Sequence, residues 1–170
     1  MSDQKVIVRF PPSPTGLLHM GNVRTALYNY LFTKRHGGDF LIRVEDTDKL
    51  RSKKEYEENM FEEMRWLNLR HDNSGKEWRQ SERASTYQKY LGQLIKSGVA
   101  YISEESEGEN REVVRFKNPG GKIKFDDLIR GKIEIEVDSL GDFIIARNIN
   151  EPLYHLAVVI DDLESRVTHI

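Results

Sequence analysis

The sequence predicts an α/β fold, and three observations predict it. A strand, a helix and a second strand follow one another between Lys5 and Val44. Two amphipathic helical patterns occupy the stretch from Ser52 to Gly98. The texture then turns to β between Val113 and Ala146, and helical spacing returns at Leu153.

The first strand, Lys5 to Phe10, is built on the apolar run Val6-Ile7-Val8. It enters a loop, Arg9 to Asn22, containing three prolines, two glycines, Ser13, Thr15 and His19. Such a loop is rigid and feeds a helix N-terminus, where free N–H groups and the positive dipole end favour an anion. The helix is predicted from Gly21 to His36, with Val23, Ala26, Leu27, Tyr30 and Leu31 at helical spacing. Lys34, Arg35 and His36 suit its last turn, and Gly37-Gly38 ends it. Phe40 to Val44 is the second strand, so the unit is βαβ with parallel strands and a right-handed crossover. Glu45-Asp46-Thr47-Asp48 then lies beside the Pro-rich loop, at the carboxyl edge where open α/β sheets bind ligands.

Ser52 with Glu55 reads as a capping box for a helix whose apolar face is Tyr56, Met60, Met64 and Leu67. A second helix starts near Ser81, carries Tyr87, Tyr90, Leu91, Leu94 and Ile95, and is capped by Gly98. Tyr101 to Arg111 is acidic and reads as a solvated loop. Val113 to Phe116 and Ile123 to Phe125 read as a hairpin turning at Pro119-Gly120-Gly121. Lys132 to Val137 alternates strictly, which predicts a half-buried strand, and Phe143 to Ala146 is another short one. Leu153, Leu156, Ala157, Ile160 and Leu163 form a helix, and Val167 to Ile170 reads as the start of a further strand. A parallel sheet this small is expected to be the front part of a larger domain.

Composition is less informative. The chain has 170 residues, 38% apolar and 32% charged, with a formal net charge of −2, which neither advertises nor excludes a nucleic-acid surface. It has no cysteine, so disulfides and thiolate metal sites are excluded. Its apolar runs are too short to span a membrane, and the N-terminus lacks the apolar core of a secretory signal. Together these features favour a cytoplasmic protein. No nucleophile–base pair or pair of acid–base carboxylates stands out.

Arg9 to Phe32, RFPPSPTGLLHMGNVRTALYNYLF, resembles the glutamyl-tRNA synthetase family of class I aminoacyl-tRNA synthetases. His19-Met20-Gly21-Asn22 takes the place of that class's His-Ile-Gly-His signature and departs from it at the last position. Phe40 to Asp48 is similar to the family's second motif, and Phe125 to Gly131 and Pro152 to Asp162 match in the family's order. The resemblance implies the N-terminal part of a class I Rossmann-like, HIGH-signature nucleotide-binding domain with an inserted α/β domain. Residues 1–73 would be its first half, and 74–150 an inserted acceptor-end-binding domain, shortened and without a zinc site. Residues 151–170 would return to the catalytic domain, which is cut short there.

The resemblance also implies roles. Arg9 and Tyr154 would hold the glutamate side-chain carboxylate, and Ser13 and Glu45 the α-groups, with Glu45 on the ammonium. Pro12, Thr15, His19, Gly21 and Asn22 would bind ATP, the last three serving the chemistry. Each has a plainer alternative: a strand-end charge for Arg9, a core aromatic for Tyr154, a structural salt bridge for Glu45 and a loop hydrogen bond for His19. Asp46 and Asp48 are read as turn caps rather than metal ligands. Mg²⁺ would accompany ATP, with no protein metal site.

The implied reaction is attack of the glutamate carboxylate on the ATP α-phosphorus, then transfer to the 3′ end of tRNA(Glu), by a protein monomeric at full length and away from membranes. Alternatives are a paralogue that glutamylates a modified base of tRNA(Asp), a glutaminyl enzyme and a non-catalytic ATP- or RNA-binding fragment. A DxD nucleotide-sugar transferase fits neither the HMGN loop nor the later matches. Arg79, Arg83, Lys89, Lys96, Arg111, Lys117, Lys122 and Lys124 are candidate phosphate contacts or simply a solvated surface. Residues 1–170 contain no KMSKS loop, and alone they are expected to catalyse little glutamylation.

Overall fold

The computed structural model describes residues 4–105 and 112–170, so Glu107, Glu109 and Arg111 of the acidic stretch lie outside the described residues. The chain divides into two compact units, Met1–Arg83 with Val159–Ile170, and Ala84–Val158.

In the first unit, β1 (Ile7–Phe10), α1 (Met20–His36) and β2 (Asp39–Val44) form the expected parallel βαβ, in register from Ile7 opposite Asp39 to Phe10 opposite Ile42. Alternation puts Val8, Phe10, Phe40 and Ile42 on the buried face. There they pack with Ala26 of α1 and with Met60 and Met64 of α2 (Lys54–Trp66). The other face carries Ile7, Arg9, Leu41 and Arg43.

Helix α1 turns a different side inward than its apolar pattern predicts. Ala26 and Thr33 are buried and Tyr30 meets Phe40 edge-on at 5.8 Å, while Leu27 and Leu31 are exposed. A small residue at 26 lets the helix approach β1 closely. Thr33 tolerates burial because its hydroxyl donates to the Tyr30 carbonyl at 2.8 Å. Gly37 ends the helix in the left-handed region (φ 62°), and the Gly38 N–H closes it on the Thr33 carbonyl at 2.9 Å.

The capping box at the start of α2 does not form. Lys53 occupies the N-cap, and the buried Ser52 hydroxyl has no hydrogen-bond partner among the described residues. The Lys53 N–H is instead drawn to the Pro14 carbonyl at 2.9 Å, which starts the helix one residue later. Ser52→Ala should therefore change stability by less than about 0.5 kcal/mol, against about 1 kcal/mol for loss of a working cap. Urea unfolding of the two proteins distinguishes the cases. At its far end α2 closes on Asn68 in the left-handed region (φ 57°), an end the sequence pattern did not signal.

A third parallel strand, β3 (Trp78–Arg79), pairs with β2 through Arg43 opposite Trp78 and gives the order β1-β2-β3. Two residues carry no readable periodicity, so pattern reasoning missed it. Asp72 and Asn73 prepare that edge: their side chains accept from the Phe40 and Ile42 N–H groups at 2.8 and 2.9 Å. The 73/74 boundary drawn from sequence thus falls before β3, whose pairing keeps the residues to Arg83 with the first unit. On the other side of β1, Thr168 exchanges bonds with Ile7, its N–H donating at 2.8 Å, although Val167–Ile170 form no strand.

The second unit opens with α3 (Ala84–Lys96), which starts after a 3-10 turn at Gln80–Glu82 rather than at Ser81. It ends at Gly98 (φ 74°), with the Val99 N–H bonded back to Leu94. An antiparallel sheet follows in the order β4 (Ala100–Glu104), β5 (Glu112–Phe116), β8 (Phe143–Asn148), β9 (Glu151–Pro152). The hairpin expected between Val113 and Phe125 is absent. β5, with Val113 and Val114 buried, is flanked by β4 and β8. Among the described residues β6 (Lys122–Asp127) pairs only with β7 (Gly131–Glu136), around an Asp127 side chain that accepts from the Ile129 and Arg130 N–H groups at 2.8 Å. A central strand needs two ladder partners, and the polar alternation of β6 does not suit it for that place. Nor is β7 half-buried: Ile135 is 46% exposed and only Val137, just past its end, is buried. The last helix, α4 (Tyr154–Glu164), follows β9 as its spacing predicts.

Candidate active site

The loop from Arg9 to Asn22 is pinned on either side of Ser13, where the Pro12 and Pro14 carbonyls accept from the Glu45 and Lys53 N–H groups, each at 2.9 Å. These bonds fix the loop against the carboxyl end of β2 and the start of α2. The concavity they create is lined by Pro12, Ser13, Thr15, His19 and Asn22, with Val44, Tyr56 and Met60 as apolar wall. It opens at the N-terminus of α1, whose first N–H groups lack helical acceptors.

His19 is the N-cap of α1, and its Nδ1 accepts from the Gly21 N–H at 3.1 Å. Gly21 makes that geometry possible: a Cβ there would stand 2.9 Å from His19 Cε1 and 3.0 Å from Nδ1. With Nδ1 held as acceptor, the proton of a neutral ring sits on Nε2. The Asn22 side-chain oxygen is buried without a partner among the described residues. The donors at this concavity are the His19 Nε2–H, the Asn22 NH₂ and the first N–H groups of α1 other than that of Gly21, and these suit a phosphate group.

Arg9 and Glu45 are placed elsewhere, in a buried ion network on the second face of the sheet. Arg9 donates through Nε and Nη2 to the two carboxylate oxygens of Asp162, at 2.9 and 3.0 Å. Arg43, 3% exposed, donates from Nη1 to Asp162 at 2.5 Å and from Nη2 to Glu45 at 2.9 Å. Asp161, wholly buried, accepts from Arg83 Nε at 2.7 Å and from Gln80 at 3.1 Å. Burial works against the charge on Asp162, but the bonds from Arg9 and Arg43 outweigh it and hold the carboxyl below its ordinary range. Glu45 is thus in the salt bridge that was its plainer alternative.

Tyr154 belongs to the second unit, at the first position of α4, and is 54% exposed. Asp48 caps its turn as expected, accepting from the Arg51 N–H at 3.1 Å. Asp46 does not: it accepts from the N–H and hydroxyl of Ser81, at 2.9 and 2.6 Å. Sequence reasoning gave no role to Arg43, Gln80, Asp161 or Asp162. The available signal was two adjacent acids in an otherwise apolar helix, Leu156-Ala-Val-Val-Ile-Asp-Asp-Leu163, since buried acids require partners.

A parallel βαβ sheet whose Pro-rich loop presents a histidine cap at its carboxyl edge defines a Rossmann-like α/β protein. The chain belongs to the family of class I tRNA synthetases (E and Q), catalytic domain, which it matches over residues 5–112 and 102–170. It is 45% identical over 165 residues to glutamate–tRNA ligase 1 of Rubrobacter xylanophilus, covering 97% of this chain and 37% of that protein. With the glutamate–tRNA ligase of Aquifex aeolicus it shares 39% over 202 residues, 98% of this chain and 42% of the relative. A crystal structure of a glutamate tRNA ligase from Elizabethkingia meningosepticum, in complex with its amino acid, superposes with a TM-score of 0.87. That pair is 35% identical and covers 98% of this chain and 43% of the other. The chain spans less than half the length of these relatives.

Proposed function

We propose that the chain is the N-terminal part of a glutamate–tRNA ligase that forms glutamyl-adenylate from glutamate and ATP and passes the glutamyl group to the 3′ end of tRNA(Glu). The observation that carries this reading is the His19–Asn22 cap over an anion-ready helix terminus, in a chain 45% identical to such a ligase. Pro12, Thr15, His19, Gly21 and Asn22 serve ATP. Arg9, Ser13 and Tyr154 serve glutamate, with Glu45 acting on its ammonium while bonded to Arg43. The substrate carboxylate oxygen attacks the α-phosphorus and pyrophosphate leaves, so the protein's task is to align the two reactants and neutralise charge. Mg²⁺ enters as the counter-ion of ATP; among the described residues no cluster of three or more His, Asp or Glu could hold a metal. The second unit is assigned to the tRNA acceptor end. A shortened insertion is supported by the Aquifex alignment, which runs over 202 residues, and by the family match falling into two pieces, residues 5–112 and 102–170, that meet at the acidic stretch. No described helix is long and apolar enough to cross a membrane, and we assign the protein to the cytoplasm.

The test is ATP–pyrophosphate exchange in the presence of tRNA(Glu). The full-length protein should exchange with glutamate and not with glutamine, and residues 1–170 alone should exchange little. No glutamate-dependent exchange by the full-length protein would overturn the assignment, and full-rate exchange by residues 1–170 would overturn the reading of the chain as a part. Within the loop, Gly21→Ala must push the His19 imidazole off its cap. ATP affinity should fall by about tenfold while the melting temperature hardly moves, because the displaced group is the end of a flexible side chain. Calorimetric titration with ATP, beside a thermal melt, checks both halves.

A further inference from the structure

We infer that Asp162 is a positioning residue of the glutamate site: it fixes the plane of the Arg9 guanidinium and thereby sets the discrimination between a carboxylate and a carboxamide. The inference rests on the assignment of Arg9 to the substrate side chain made above. Both bonds from Arg9 to Asp162 use one edge of the guanidinium, the Nε/Nη2 edge, at 2.9 and 3.0 Å. Two parallel bonds to a planar carboxylate permit a single orientation of the fork and leave its Nη1 side out of the pair.

Asp162 cannot simply turn with Arg9, because it is gripped from the other side. Arg43 Nη1 bonds the same Oδ1 at 2.5 Å, and Arg43 is anchored in turn on Glu45 at 2.9 Å. The neighbouring Asp161 ties the same turn of α4 to Gln80 and Arg83. The Arg9 side chain is only 14% exposed and that of Asp162 12%, so the pair is shielded from the water that would loosen it. A guanidinium held this way presents fixed N–H donors. A glutamate carboxylate can accept from two of them, whereas a glutamine carboxamide offers one acceptor oxygen and turns an NH₂ donor toward the others. A buried donor left facing a donor is what gives polar sites strong selectivity. If Arg9 could swing, it would follow either side chain, and that selectivity would be lost.

The experiment titrates ¹⁵N-labelled residues 1–170 with L-glutamate and with L-glutamine, in the wild type, Asp162→Asn and Asp162→Glu, with ATP as a control ligand. Asp162→Asn puts an NH₂ group against the arginines and should weaken glutamate binding about 10- to 100-fold. The glutamate-to-glutamine affinity ratio should fall toward one, while ATP still shifts the His19–Asn22 amides. Asp162→Glu, which keeps a bidentate carboxylate, should recover part of the ratio. In the wild type without ligand, the Arg9 Nε–H signal should exchange slowly with water, a readout that survives even if Asp162→Asn does not fold. Rapid exchange there, or an unchanged ratio in a folded Asp162→Asn, would overturn the inference alone. No glutamate binding by a wild type with a protected Arg9 Nε–H would overturn the assignment of Arg9, and the inference with it.

Discussion

Arg43→Met should cost about 3–5 kcal/mol, the range for removing one partner of a buried ion pair. Arg43 is the donor common to Asp162 and Glu45, and at 3% exposure water cannot take its place. Methionine matches the stem but leaves both carboxylates without that donor in a dry site. A domain holds a total margin of about 5–15 kcal/mol, so most of it would go, and the melting temperature should drop by more than about 10 °C. Circular dichroism melts measure this directly; a drop of under about 3 °C would mean that the network is hydrated and weak. The acid limb gives a second check. Asp162 is held below its ordinary range, so its contribution is complete above about pH 4 and is lost as pH falls through the lower folded value. The wild type should therefore lose stability on acidification below about pH 4, and Arg43→Met should lose less over the same span because half of the clamp is already gone.

Gly38→Ala should be nearly as damaging, by a different route. The backbone of Gly38 is not in the left-handed region, so left-handed strain is not what a side chain there would meet. The cost is steric: a Cβ would lie 2.2 Å from the Val6 carbonyl oxygen and 2.9 Å from Val6 Cβ. That same carbonyl accepts from the Asp39 N–H at 2.8 Å, where β1 and β2 begin to pair. The obstacle is backbone and cannot rotate away, so the strands must part at their first rung, at about 1–3 kcal/mol or more. Gly37→Ala, by contrast, meets no atom and carries only the left-handed penalty of about 1 kcal/mol. Urea unfolding should rank Gly38→Ala clearly below Gly37→Ala; the reverse order would contradict the close approach of Val6.

The parts of the fold legible in the sequence were those whose signal is local. The short apolar run Val6-Ile7-Val8 marked β1, the basic turn and double glycine marked the end of α1, and Gly98 marked the end of α3. What pattern reasoning missed depends on pairing. β3 is two residues long and exists because β2 has a free edge that Asp72 and Asn73 begin to fill. β5 pairs with β4 and with the distant β8, where Val114 lies opposite Ala146, while the nearby β6 alternates just as a partner would. Ser52 and Glu55 satisfied a capping pattern, but the Pro14 carbonyl competed for the N–H next door.

The site divides along the same line. His19, Gly21 and Asn22 are close in sequence and their spacing shows how they can meet. Arg9, Arg43 and Asp162 come from β1, β2 and α4, with Glu45 just past the end of β2, and nothing local in any of them announces a shared network. Hence the plainer reading of Glu45 matched its contacts, while Asp161 and Asp162 passed without a role.

The measurement closest to the central claim is an amide-resolved titration of residues 1–170 with ATP. If the loop at the head of α1 is the nucleotide half-site, the largest shifts should fall on Ser13, Thr15, Gly16, Gly21 and Asn22, and His19→Ala should abolish them without unfolding the chain. Shifts confined to the groove between α2 and the residues 69–79, or none at the loop at millimolar ATP, would contradict it.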